Sequence, residues 1–292
     1  MNITSVEELQ EALRGQTYIA DRGLAMAIYL SLKLRKPLFL EGEAGVGKTE
    51  VAKVIAGIQD TELIRLQCYE GLDVYHAVYE WNYTRQMLHI RLMEARGERP
   101  TEEELFGRDY LLQRPLLRAI DDYAGSPPVL LIDEIDRSDE EFEAFLLEVL
   151  SDYQITIPEI GTIQASQPPI VVLTSNRTRE VHDALKRRCL YYWIDYPTFE
   201  KELEIVKAKV PDASANLAAQ VTAFVQELRH VELYKLPGVA ETLEWTSALV
   251  ALDQEVLHQS VVDETLGVIL KYRDDISLIK GNGSRRILET IQ

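Results

Sequence analysis

Along the first two thirds of the chain, short uninterrupted apolar runs alternate with stretches whose apolar residues recur every three or four positions. That alternation predicts a parallel sheet covered by helices. Five runs read as buried strands: PLFLEG at 37–42, LIRLQC at 63–68, VLLID at 129–133, IVVLTSN at 170–176 and LYYWID at 190–195. Among the helices between them, the clearest is expected to start at Ser138, whose hydroxyl would cap it with Glu141 reaching back as a capping box. Phe142, Phe145, Leu146 and Val149 would form its apolar stripe.

After Tyr196-Pro197 the strand-like runs stop, and the remainder reads as three or four amphipathic helices, one of them carrying Leu217, Val221, Phe224, Val225 and Leu228 on a single face. Breaks at Pro211-Asp212, Leu236-Pro237-Gly238 and KGNG at 280–283 divide them. The pattern therefore predicts an α/β domain over 1–196 and an all-α domain over 197–292. Two segments of the first domain depart from simple alternation. Around NYTRQ, Tyr79 and Trp81, then Leu88, Ile90 and Leu92, stand at period two, which predicts a β-hairpin or ribbon near 74–92. A second short hairpin is expected at 153–163, turning near Pro158-Glu159. Each segment is either a sheet extension or a surface for a partner.

Chemistry enters at Gly42-Glu43-Ala44-Gly45-Val46-Gly47-Lys48-Thr49, which satisfies G-x-x-x-x-G-K-[ST] between an expected strand and an expected helix. From composition alone, about one chain of this length in a hundred would match by accident. Glycines let successive backbone N–H groups turn inward as an anion nest, reinforced by the positive end of the following helix. Lys48 reaches the β- and γ-phosphates of a nucleoside triphosphate, the Thr49 hydroxyl ligates Mg2+, and the nucleotide-binding stretch is expected to run from Gly42 through Glu50.

Three further signals sit at strand ends or just before one. In VLLIDEID the apolar run ends in adjacent carboxylates, so Asp133 is placed to hold a magnesium-bound water and Glu134 to polarise the water that attacks the γ-phosphate. Asn176 closes IVVLTSN, where an amide donates to the γ-phosphate and accepts from the attacking water. Arg187 and Arg188 end a helix before the last strand. Either one supplies a guanidinium to a neighbouring subunit's phosphoryl group, or both only complement the helix dipole.

Composition narrows the partners. Lys plus Arg total 31 against 48 Asp plus Glu, a formal charge of −17, so a phosphate backbone would be approached against long-range repulsion and nucleic acid is not expected as a partner. No apolar stretch approaches membrane-spanning length, and MNITSVEELQEALRG reads as an acidic amphipathic helix rather than a secretion signal. A soluble cytoplasmic protein is expected. Cys68 and Cys189 share no ligand-like spacing and read as ordinary reduced thiols.

The order of loop, DEID, strand-end Asn, helix-end arginines and helical tail resembles the AAA+ ATPases, and within them the MoxR family. DRGLAMAIYLSLKLRKPLFLEGEAGVGKTE, LLIDEIDRSDEEFEAFLLEVL and HDALKRRCLYYWIDYP look closest to CoxD-type members. The resemblance implies an αβα P-loop sandwich with a helical lid, assembly into a homo-oligomeric, hexameric ring, and ATP with Mg2+ between subunits, its adenine against Tyr18 and Ile19. It implies that the two hairpin-like segments are the family's insertions. It also implies a von Willebrand A-domain partner and a client metalloenzyme such as a carbon monoxide dehydrogenase-like molybdenum hydroxylase. One departure stands out. Related lids often carry an Arg in a GASPRA-like motif, whereas LPGVAETLEW here puts Glu241 about where that cation belongs; either that contact is absent, or a residue such as Arg285 or Arg286 replaces it. The function expected is ATP-driven remodelling of a client protein; a motor on nucleic acid and a nucleotide-gated binding module with little turnover are the alternatives.

Overall fold

All five apolar runs become strands of one parallel sheet in the computed structural model, which describes residues 3–121 and 125–291 without the side chain of Glu103. In chain order the strands are β1 (Leu38–Gly42), β2 (Leu63–Gln67), β3 (Tyr79–Trp81), β4 (Leu111–Gln113), β5 (Val129–Asp133), β6 (Gln154–Ile157), β7 (Gly161–Gln164), β8 (Ile170–Ser175) and β9 (Leu190–Ile194). The main sheet runs β2-β5-β8-β1-β9. Every residue of β1 and β5 is buried, as strands covered on both faces require. The register sets Gln67 beside Asp133, Ile132 beside Leu173 and Glu41 beside Ser175, so the carboxyl ends of β2, β5, β8 and β1 line up along one edge. Ligands of open α/β sheets bind at such edges.

Contacts divide the chain into two compact units, one of residues 3–6, Gly23–Glu41 and Thr49–Trp193, the other of Glu7–Arg22, Gly42–Lys48 and 194–291. The first is built on a core that includes Phe39, Ile64, Leu130, Ile132, Phe142 and Leu173. Beyond Pro197 the second is helical: Phe199–Lys209, Ala215–Leu228, Val239–Ala251, Gln259–Ile269, Arg273–Ile279 and Asn282–Ile291. Its core unites the predicted face of Leu217, Val221, Phe224, Val225 and Leu228 with Trp245, Leu249 and Leu266. A polar centre also lies here. Glu202, fully buried, accepts from both terminal nitrogens of Arg229 at 2.7 Å, from Thr242 Oγ1 at 2.7 Å and from Gln226 Nε2 at 2.6 Å. Among the described residues, no helix is long and apolar enough to cross a membrane.

The structure corrects three expectations. First, 74–92 is not a hairpin: Val74–Val78 and Tyr83–Ala95 are helices flanking β3, which pairs antiparallel with β4 some thirty residues on. The reason is capping. Asp73 accepts from the His76 N–H and Asn82 from the Arg85 N–H at 3.0 Å, so the NYTRQ stretch that reads as a turn starts a helix. Second, Ser138 does not cap its helix. Its hydroxyl bonds back to the Ile135 carbonyl at 2.8 Å, closing a short 3-10 turn, and Asp139 caps Glu140–Asp152 by accepting from Phe142 N at 2.8 Å. Third, the described residues of the tail form six helices rather than three or four, because 252–258 and 270–272 interrupt it without a glycine or proline. The hairpin expected at 153–163 is present as β6 and β7, with Ile155 opposite Ile163.

Candidate functional site

Asp133, at the end of β5 and 2% exposed, gathers four donors. Its Oδ1 accepts from Thr49 Oγ1 at 3.0 Å and from Thr174 Oγ1 at 2.5 Å; its Oδ2 accepts from Arg65 Nε at 3.0 Å and Nη2 at 2.6 Å. Thr174 also accepts from the Glu134 N–H at 2.9 Å, so one buried hydroxyl on β8 fixes both acids. Glu134 itself sits in the left-handed region at φ 55°, ψ 52°. A non-glycine residue pays roughly 1–2 kcal/mol there, a strain concentrated at functional sites. The bend turns its side chain toward Asn176, whose Nδ2 donates to Oε1 at 3.3 Å, while Oε2 takes Gln67 Nε2 at 3.2 Å and Arg137 Nε at 2.9 Å.

The loop bearing Asn176 is held from below. Asp136, buried, accepts from the Asn176 N–H at 3.3 Å, the Thr178 N–H at 2.8 Å and the Thr178 hydroxyl at 2.7 Å. Cys68 lies beside the same carboxylates, and burial first, then the charges of Asp133, Asp136 and Glu134, push its thiol up to about 12. It stays protonated and takes no part as a nucleophile.

The glycine loop belongs to the other unit. Gly45 and Gly47 adopt φ of +78° and +93°, conformations that keep the backbone free of side chains where it curls. The Lys48 ammonium, 5% exposed, folds over the loop and donates to the Gly42 carbonyl at 2.7 Å and that of Glu43 at 2.6 Å. Glu43 is exposed, Ala44 half-buried and Val46 buried; Glu50, in the first turn of helix Lys48–Gln59, pairs with Lys53 at 3.0 Å. Helix Val239–Ala251 begins against this loop: Ala240 N donates to the Gly45 carbonyl at 3.1 Å, and Glu241 caps the helix by accepting from Gly238 N at 2.9 Å. Tyr18 and Ile19 are half-buried, and a Cβ on Gly47 would lie 3.9 Å from the Tyr18 ring.

Thus Thr49, Asp133, Glu134 and Asn176 are brought together, and Lys48 lies in the glycine loop. Arg187 and Arg188 are not joined to that cluster. Arg187 is exposed and pairs with Asp183 on its own helix at 3.3 Å; Arg188 donates to the Leu147 carbonyl at 2.7 Å. Arg285 is bonded to Gln259 at 3.2 Å. Sequence reading missed Arg65, Gln67, Thr174, Asp136 and Arg137. Only Arg65 left a signal, a charge inside an apolar strand run. Among the described residues no group of three or more His, Cys, Asp or Glu forms a metal cage. The Thr49 and Asp133 oxygens do suit Mg2+, a hard cation that takes one or two protein oxygens and completes its shell with water and phosphate.

A family model for the AAA domain (dynein-related subfamily) matches residues 37–189. An uncharacterised protein of Staphylococcus aureus (strain bovine RF122) is 26% identical over 203 residues, 67% of this chain and 69% of its own length. A protein of strain USA300, also uncharacterised, is 25% identical over the same shares. Among solved structures, a point mutant of RuvB from Thermotoga maritima superposes with a TM-score of 0.50 at 19% identity, covering 99% of this chain and 77% of its own. At that identity the likeness speaks for a shared fold.

Proposed function

The chain belongs to the AAA domain family, dynein-related subfamily, and is an ATP hydrolase; from that premise we propose that it works as a ring-forming remodelling ATPase of the MoxR line, closest to CoxD-type members. In this reading residues 1–196 are the nucleotide domain, 197–292 its lid, and the ring is a hexamer in the cytoplasm, a compartment its two free thiols suit. The client is a metalloenzyme under maturation, such as a molybdenum hydroxylase, engaged beside a von Willebrand A-domain protein. These assignments rest on the stretches quoted from the sequence and on the family's general habit of assembling as rings.

The observation that carries the reading is the Thr174 hydroxyl, which ties the Asp133 carboxylate to the Glu134 backbone while Asn176 faces Glu134. In the proposed mechanism, backbone amides of Gly45–Thr49 and the Lys48 ammonium bind the polyphosphate, Lys48 leaving the Gly42 and Glu43 carbonyls to do so. Thr49 and Asp133 would hold Mg2+, which when bound would supply positive charge against the phosphates. Glu134 accepts the proton of the attacking water, and Asn176 orients that water. Arg187 or Arg188 reaches the next subunit's nucleotide, a role for which their exposure on the first protomer leaves them available. Tyr18 and Ile19 flank the base.

A second reading has one observation in its favour. The lid helix presents a carboxylate, Glu241, to Gly45, which suits a nucleotide-gated module that turns over little. Phosphate release under multiple turnover separates the two. Sustained release, stimulated by a co-purifying protein and indifferent to DNA, supports the remodelling ATPase; a stall after one turnover overturns it, and stimulation by DNA that fades steeply with salt would point to a nucleic-acid motor.

A further inference from the structure

We propose that Arg65 is the resident counter-ion of Asp133, which Mg2+ must displace, so that the strength of this pair sets how much magnesium the protein needs to hold nucleotide. The proposal rests on the ATP reading of the same site.

A carboxylate offers about four lone-pair sites. Those of Asp133 are filled: Thr49 and Thr174 on Oδ1, and two nitrogens of one guanidinium on Oδ2. A metal ion, or a water it holds, therefore reaches Asp133 only by taking a place from one of these donors. Thr174 is 1% exposed and also anchors the Glu134 N–H, so its departure would unseat both acids. The Thr49 hydroxyl keeps a lone pair for a cation while still donating to Asp133. Arg65 is the donor with a way out. Its side chain is 52% exposed, against 3% for that of Asp133, and its Nη2 already bonds the Gln67 Oε1 at 2.5 Å, an acceptor that stays behind when Asp133 is given up.

Charge fixes the sign. Guanidinium and Mg2+ repel each other and compete for one buried anion, so removing Arg65 leaves the site more negative and lets magnesium bind more tightly. A purely structural Arg65 would give the opposite result, because a loosened Asp133 would hold the cation less well.

The test uses the full chain with Arg65→Met, which keeps the aliphatic stem, and Arg65→Lys, which keeps the charge but loses the fork. Mg2+ is titrated against a fixed concentration of a fluorescent, non-hydrolysable ATP analogue, whose affinity is also measured in EDTA. The half-saturating Mg2+ concentration should fall about ten-fold in Arg65→Met and by less in Arg65→Lys, while the affinity in EDTA holds steady. An unchanged or raised half-saturation in folded Arg65→Met overturns the proposal. If that variant does not fold, an unshifted Arg65→Lys overturns it instead. Failure of the unsubstituted protein to bind the analogue at saturating Mg2+ overturns the ATP reading, and this proposal with it.

Discussion

Glu241 lies against Gly45: a Cβ built on Gly45 would come within 2.8 Å of Glu241 Oε2. The carboxylate thus stands at the tip of the glycine loop, where a bound polyphosphate is the last charge it favours. Its other task is to cap helix Val239–Ala251 through the Gly238 N–H. Glutamine serves a capping box as well as glutamate does, so Glu241→Gln removes the charge and keeps the cap. ATP affinity, measured by calorimetry at low salt, should rise roughly three- to ten-fold, with the gain shrinking as ionic strength increases. Weaker binding would mean that the carboxylate organises the loop rather than opposing its ligand.

Glu134→Gln separates binding from chemistry. The amide keeps one acceptor oxygen, enough for Asn176 or Gln67 but not for both, and has no carboxylate to take a proton. Turnover should fall by roughly two to four powers of ten with ATP affinity preserved, the scale of a lost general base. Single-turnover phosphate release checks it, and an unaltered rate would remove Glu134 from the reaction.

The buried Glu202–Arg229 pair predicts stability rather than catalysis. Glu202→Ala leaves the Arg229 guanidinium, whose side chain is 6% exposed, without its counter-ion. Breaking such a pair from one side costs about 3–5 kcal/mol, whereas replacing both partners by apolar residues of similar size is close to neutral. Thermal unfolding should show a large drop in midpoint for Glu202→Ala and recovery in Glu202→Leu combined with Arg229→Met. A double variant as unstable as the single one would assign the loss to Thr242 and Gln226, which also bond Glu202.

The strands of the main sheet were legible because a strand buried on both faces has nowhere to put a polar residue, and VLLID and IVVLTS contain almost none until their ends. The acids, Asn176 and the glycine loop were legible for the same reason, since each interrupts a run where chemistry concentrates. What the pattern hid was pairing at a distance. Tyr79 and Trp81 pair with Gln113 and Leu111, not with the apolar residues just downstream, and nothing local announces a partner thirty positions away. Capping misled in a similar way: Ser138 and Asp139 are equally good caps in sequence, and the bond of Ser138 to Ile135 decides between them. Thr174 looks like an ordinary strand residue, and Arg65 shows only as a charge inside an apolar run, until β2 and β8 bring them to either side of Asp133.

Neither cysteine should behave as a reactive thiol. Burial pushes Cys68 up to about 12, helped by the charges of Asp133, Asp136 and Glu134, and burial alone pushes Cys189 up to about 12. Only the thiolate attacks an alkylating reagent, and at pH 8 a group of that pKa is ionised on the order of one part in ten thousand. Iodoacetamide at pH 8 should therefore leave the folded protein unlabelled over an hour and modify both thiols quickly in urea. The sign for stability follows from the same shift. A raised folded-state pKa favours the protonated form, so the contribution is complete below the ordinary thiol range of the unfolded chain and drains away as pH climbs toward about 12. The urea midpoint should then decline across that alkaline window, and the decline should shrink in Cys68→Ala. Fast labelling of the native chain at pH 8 would show that the segment after β2 opens readily, and with it the wall of the Asp133 site.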